Sequence, residues 1–111
     1  MSLGMRDIRP ESPTCGLAVI IELDSDTLQA VAIPPGVAHG FYFPRPSTHL
    51  YAVSEYWNMA DELGCRWNDP ALGLDWKSSA HPLLSERDEA AGSMDEMVST
   101  YVLRGGRHGP A

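Results

Sequence analysis

Three side chains in this 111-residue chain have the functional groups for proton transfer: His39, Tyr51 and Asp88. A carboxylate can orient a histidine by accepting its ring N–H, and a tyrosine hydroxyl can donate a proton to a carbanion or an enolate. Spacing alone does not bring the three together, and the ordinary role of a tyrosine such as Tyr51 is that of a core aromatic. Other chemistries fare worse. The histidines are His39, His49, His81 and His108, with no His-x-His among them. His39 and His49 alone are too few to hold a divalent metal, which needs several converging ligands, so no metal site is expected. No serine or cysteine sits in a Gly-x-Ser-x-Gly elbow, and Cys15 and Cys65 have no evident partner base. The separation of those two cysteines fits no zinc or redox motif, as expected of unpaired thiols in a cytosolic protein.

The elements that must position these groups follow from the apolar pattern. Pro34-Pro35-Gly36 is a rigid corner, because proline fixes φ and glycine permits a positive one. The run 37–43 after it reads as a strand, and alternation then puts His39 on one face with Val37, Phe41 and Phe43. Residues 17–23 and 28–33 read as earlier strands, separated by a turn at 24–26. After a second turn at 44–47, residues 48–56 read as a fourth strand, with His49, Tyr51, Val53 and Glu55 on one face. Residues 64–68 are a candidate short strand, and 69–76 reads as irregular. Two short helices close the chain. One covers 85–91, with Ser85 as its cap and Glu86 in its first turn. The other covers 93–103, with Met94, Met97, Val98 and Tyr101 at helical spacing. Strands at roughly ten-residue intervals predict an all-β sandwich or barrel. Residues 1–4 read as a cloning scar outside the fold, 5–104 as a single domain, and 105–111 as a disordered tail.

Composition narrows the partners. Apolar residues make up 43% of the chain and charged residues 21%, ordinary values for a soluble globular domain. The net charge is −7 and no basic patch is present, which argues against nucleic acid or an anionic membrane. The longest apolar run, 17–21, is far short of a membrane span, and no signal peptide is visible, so a cytoplasmic location is expected.

Several runs, in order, resemble one family. Pro-x-Gly-x-x-His at 34–39 is similar to the start of the second motif of the cupin barrels. Asp7-Ile8-Arg9-Pro10-Glu11-Ser12-Pro13-Thr14 comes before it. The corner itself extends as Ile33-Pro34-Pro35-Gly36-Val37-Ala38-His39-Gly40-Phe41. Leu50-Tyr51 follows, then Tyr56-Trp57-Asn58, then Trp67-Asn68-Asp69-Pro70-Ala71-Leu72-Gly73-Leu74-Asp75-Trp76, and finally Leu84-Ser85-Glu86-Arg87-Asp88. Together they resemble the C-terminal half of the dTDP-4-dehydrorhamnose 3,5-epimerase family over about three quarters of the chain.

The resemblance implies a cupin-type antiparallel jelly roll, N-terminally truncated here, with the short helices at its C-terminal end. It implies an isomerase that uses no cofactor. Such an enzyme removes protons α to the C4 ketone of a dTDP-4-keto-6-deoxy sugar and returns them on the opposite face. By position Tyr51 matches the family's proton donor, Asp88 the carboxylate that orients the catalytic histidine, and His39 a histidine lining the sugar pocket. Trp57 falls where the family has an aromatic pocket residue, and His49 joins it as a candidate for substrate binding. The family's base histidine and enolate-stabilising lysine lie upstream of the segment matched by Asp7-Ile8-Arg9, whereas the lysine of this chain is Lys77. The alternative is therefore a catalytically inactive cupin-like module that binds a sugar or a partner subunit. A homodimer or higher homo-oligomer is expected, because a shortened barrel leaves open sheet edges that must be covered.

Overall fold

The corner at 34–36 forms as its residue types require. The Val37 amide donates to the Pro34 carbonyl at 3.3 Å, and Gly36 has φ +87°. That left-handed φ is a glycine conformation, as the third position of a type II turn demands. Any Cβ on Gly36 would also lie 2.6 Å from the Arg9 Cγ and from the Tyr101 hydroxyl. The corner is thus closed by backbone geometry and by the absence of a side chain.

The computed structural model describes residues 1–56, 58, 62–77 and 81–106. Its strands are β1 (Ser2–Asp7), β2 (Ala18–Glu22) and β3 (Val37–Tyr42). They form one antiparallel sheet in the order β2-β1-β3. Among the described residues a 3-10 turn at Pro70–Leu72, helix α1 (Glu86–Glu89) and helix α2 (Met94–Leu103) complete the elements. No described helix is long and apolar enough to cross a membrane.

Register divides the sheet into two faces. Residues directly opposite across an antiparallel pair share a face. Met5 lies between Val19 and His39, and Leu3 between Ile21 and Phe41. On the reverse face Gly4 lies between Ile20 and Gly40, and Arg6 between Ala18 and Ala38. The reverse face is roofed by the segment after the 3-10 turn. A Cβ on Gly4 would meet the Trp76 ring at 2.6 Å and Leu74 at 3.2 Å. The Trp76 indole is fixed there by donating Nε1–H to the Trp67 carbonyl at 3.0 Å.

The core sits at the end of this roof. Ile8, Leu72, Met94, Met97 and Tyr101 are buried together, with Ala38, Leu63, Cys65, Leu74 and Val98 packed against them. Helix α2 starts at a capping box: Ser93 Oγ accepts from the Glu96 amide, and the Glu96 carboxylate accepts from the Ser93 amide. Asp69 joins the 3-10 turn to the helix, accepting from the Ala71 amide at 2.9 Å and the Met94 amide at 2.7 Å. Those amide hydrogen bonds, Met94 first, hold the Asp69 carboxyl below the ordinary carboxylate range. Asp7 closes the turn after β1 in the same way. It accepts from Arg9 Nε at 3.0 Å, Arg9 Nη2 at 2.9 Å, Ser12 Oγ at 2.7 Å and Thr14 Oγ1 at 2.6 Å. The Arg9 guanidinium leads these partners in holding its carboxyl far below the usual range.

Several expectations change. Residues 2–4, set apart as a scar, belong to the central strand, and Leu3 is 1% exposed. Two neighbours supply β1 with a ladder on both edges, which outweighs the absence of β-branched residues in it. Residues 28–33 and 48–56 are not strands, despite their composition. A strand needs a ladder partner, and among the described residues neither segment has one. Leu28 and Tyr56 are accordingly fully exposed. Residues 64–68 run as coil into a turn rather than a strand. The two helices stand where the sequence puts them, α1 capped by Ser85 Oγ, which accepts from the Asp88 amide. The described part is a three-stranded antiparallel sheet with two short helices.

Candidate functional site

The face opposite the Trp76 roof carries the candidate chemistry. Alternation along β3 brings His39, Phe41 and then Phe43 to one side. His39 and Phe41 meet edge to face, with centroids 5.8 Å apart at 73°. The segment after the 44–47 turn folds back over Phe41. His49 lies 4.9 Å from Phe41 and 5.2 Å from Phe43, centroid to centroid. Tyr51 stacks on His49 at 5.4 Å with the rings 11° from parallel, and stands 6.4 Å from Phe41. These are the offset and edge-to-face geometries that aromatic quadrupoles favour. The result is a ring platform with His39 at one side and Tyr51 at the other, open to solvent, Tyr51 being 66% exposed.

The His39 ring is oriented by its own strand. Nδ1 lies 3.2 Å from the Val37 carbonyl oxygen. A carbonyl oxygen only accepts, so this bond puts the proton on Nδ1 and leaves Nε2 of the neutral ring as an acceptor. The His39 ring and the Tyr51 phenol thus flank Phe41 on one surface, a candidate proton acceptor and a proton donor.

Not every candidate joins this surface. Asp88 lies on α1, exposed, and no hydrogen bond or ion pair links its carboxylate to His39, His49 or Tyr51 among the described residues. Trp57 lies outside the described residues. Lys77, the single lysine, lines a shallow open groove with Ala18, Ile20, Gly73, Leu74 and Asp75. Val19, on the opposite face from Ala18 and Ile20, lines it too, so the groove lies at the β2 edge of the sheet, while Tyr51 packs on Phe41 of β3 at the other edge. Both cysteines are free. Burial pushes the Cys65 thiol above its ordinary pKa, the reverse of an activated nucleophile. Phe41, the ring that His39, His49 and Tyr51 share, was not among the candidates from sequence, although period-two alternation from His39 points to it.

With this geometry in view, comparison with known proteins is direct. A sequence model described as dTDP-4-dehydrorhamnose 3,5-epimerase matches residues 4–96. The chain belongs to the dTDP-4-dehydrorhamnose 3,5-epimerase family. A protein of that name from Salmonella typhimurium is 38% identical over 95 residues, 85% of this chain and 52% of the relative. The Escherichia coli relative is 33% identical over 98 residues, 87% of this chain and 53% of the other. That from Sinorhizobium fredii is 34% identical over 96 residues, 86% and 49% respectively. The chain thus spans about half the length of these curated relatives. No solved structure matches it.

Proposed function

We propose that this chain is a nucleotide-sugar-binding member of the epimerase family that receives a dTDP-4-keto-6-deoxy sugar on its aromatic face. The observation that carries this reading is the ring platform. Two segments separated in sequence place His39, His49 and Tyr51 around Phe41 on one side of the sheet. Sugar C–H faces pack on aromatic rings, and the flanking polar edges supply direction. In the reaction, a base takes the proton from C3 or C5, the electron pair delocalises into the C4 ketone as an enolate, and an acid returns a proton to the opposite face. Tyr51 is the donor and His39 Nε2 the available acceptor. By resemblance Asp88 carries the family's orienting carboxylate, a role that requires a histidine within reach of α1, and Trp57 corresponds to the family's aromatic pocket residue.

Proton exchange by this chain alone is slow. Its single lysine lies at the other edge of the sheet from Tyr51, so it supplies no positive charge at the enolate oxygen. Loss of such stabilisation typically lowers a rate roughly a hundredfold to a thousandfold. The sheet is read as part of a cupin-type jelly roll in a cytoplasmic homodimer. Exposed Leu50, Val53 and Tyr56 favour a covered state over a lone monomer. The test pairs calorimetric titration with dTDP and NMR observation of solvent deuterium entering C3 and C5 of the keto sugar. Binding with exchange near background is expected. Fast exchange abolished by Tyr51→Phe would identify a working epimerase, and neither binding nor exchange would favour a partner-binding module instead.

A further inference from the structure

We infer that His49 is a positioning residue for Tyr51: its imidazole is the wedge that holds the phenol over the β3 face. The role in binding rests on the reading of Tyr51 given above; the structural part does not. Residues 43–53 form no strand or helix. Among the described residues no backbone hydrogen bond ties 44–56 to the sheet, and the bond there is local, Ser47 Oγ donating to the Arg45 carbonyl at 3.1 Å. Ring contacts therefore set where Tyr51 lies. Its nearest ring is His49, near parallel at 5.4 Å, while Phe41 is farther at 6.4 Å. His49 is in turn packed on two rings of the β3 side, Phe41 at 4.9 Å and Phe43 at 5.2 Å. The order of anchoring is β3, then Phe41 and Phe43, then His49, then Tyr51.

A flat ring is what the wedge needs, because it meets Tyr51 near parallel and Phe41 and Phe43 at a tilt. An aliphatic side chain of similar bulk fills space without fixing the phenol plane, and alanine leaves a gap between Tyr51 and its support. Phenylalanine keeps the flat ring. The pair His49→Phe and His49→Ala therefore separates positioning by stacking from any need for an imidazole nitrogen.

The readout is the NOE between Tyr51 and Phe41 ring protons, on the full chain without ligand, alongside calorimetric titration with dTDP-4-keto-6-deoxyglucose. The NOE is expected in the wild type and in His49→Phe, and lost in His49→Ala. The methyl resonances of Leu72 and Met97, in the buried cluster away from the platform, should stay unmoved in all three, showing that the fold is intact. Affinity for the sugar should fall about twofold to tenfold in His49→Ala and recover in His49→Phe, the range expected for one lost aromatic stack. Persistence of the NOE in His49→Ala would overturn the inference, as would its loss in both variants. If the NOE pattern holds but the wild type binds no sugar, the positioning of Tyr51 stands and the proposed ligand falls.

Discussion

The two faces of the sheet are built by different means. The roofed face is held by exclusion: Gly4 and Gly40 have no side chains, and the Trp76 ring occupies the space they leave. Its neighbours Arg6 and Ala38 lead into the buried cluster around Leu72, Met97 and Tyr101. The aromatic face is held by rings stacked on one another, with Tyr51 and His49 exposed at its rim. A change on the first face must be accommodated by backbone or core. A change at the rim of the second meets solvent, although Leu3, opposite Phe41 on β1, is buried. The family's sequence motifs divide along this line, which separates residues that keep the fold from residues available for chemistry.

The sharpest way to break the contrast is to damage the core. Met97→Ala should destabilise the chain by about 2–5 kcal/mol, the range for deleting a buried large side chain, since Met97 is 6% exposed among the packed residues of α2. Urea unfolding followed by circular dichroism checks it. Gly4→Ala comes next. The added Cβ would sit 2.6 Å from Trp76, whose indole is itself tied to the Trp67 carbonyl. The expected loss is about 1–3 kcal/mol, as for overpacking. A shift in Trp76 fluorescence should accompany it, because the ring must move.

Much of this was legible in the sequence wherever local signals decide. Helix α2 has Ser93 and Glu96 at capping-box spacing, and Met94, Met97 and Tyr101 on one stripe. The corner before β3 has its glycine where φ must be positive. His39 and Phe41 share a face by simple alternation. What was not legible depends on distant partners. The strand β1 lacks β-branched residues and exists because β2 and β3 both pair with it. Residues 48–56 have a strand's composition and no ladder partner among the described residues. Asp88 could be placed on a helix, but where that helix lies relative to Tyr51 is set by tertiary contacts far apart in the sequence. The motifs at 7–14 and 67–76 carry side chains that could suit a site. They turn out instead to hold packing: Asp7 clasps Arg9, Ser12 and Thr14, and Asp69 caps α2.

Acid should act on the packed region through those two aspartates. Asp7 is held below the ordinary carboxylate range first by the Arg9 side chain, then by Ser12 and Thr14. Asp69 is held down by the Met94 and Ala71 amides. A group whose folded pKa is depressed contributes stability that is fully present above its unfolded value, about 4, and lost as pH falls toward the folded value. Stability should therefore be flat in this respect near neutrality and decline below about pH 4. The Asp7→Asn variant lacks the clasp's charge at every pH. It should be less stable than wild type at pH 7 and approach it as pH drops, in urea midpoints measured from pH 7 to pH 3. A constant gap between the two curves would show that the clasp is not carried by the carboxylate charge.

The smallest effect on stability should come from the residue with the largest proposed effect on binding. Tyr51 is 66% exposed and belongs to no strand or helix. Its ring contacts reach His49 and Phe41 only at the rim of the platform. Truncating an exposed residue outside the core usually changes stability by less than about 0.5 kcal/mol. An aromatic pair contributes about 0.5–1.5 kcal/mol when well formed, and exposure places Tyr51 at the lower end of that range. Tyr51→Ala should thus keep a urea midpoint close to the wild type while losing affinity for the dTDP-linked keto sugar. Tyr51→Phe should keep both the midpoint and most of the affinity, and lose any residual proton exchange at C3 or C5, because the ring remains and the donor is gone. Unfolding of Tyr51→Ala at clearly lower urea would mean that the aromatic face supports the fold as the roofed face does. The contrast between the two faces would then be one of exposure and not of function.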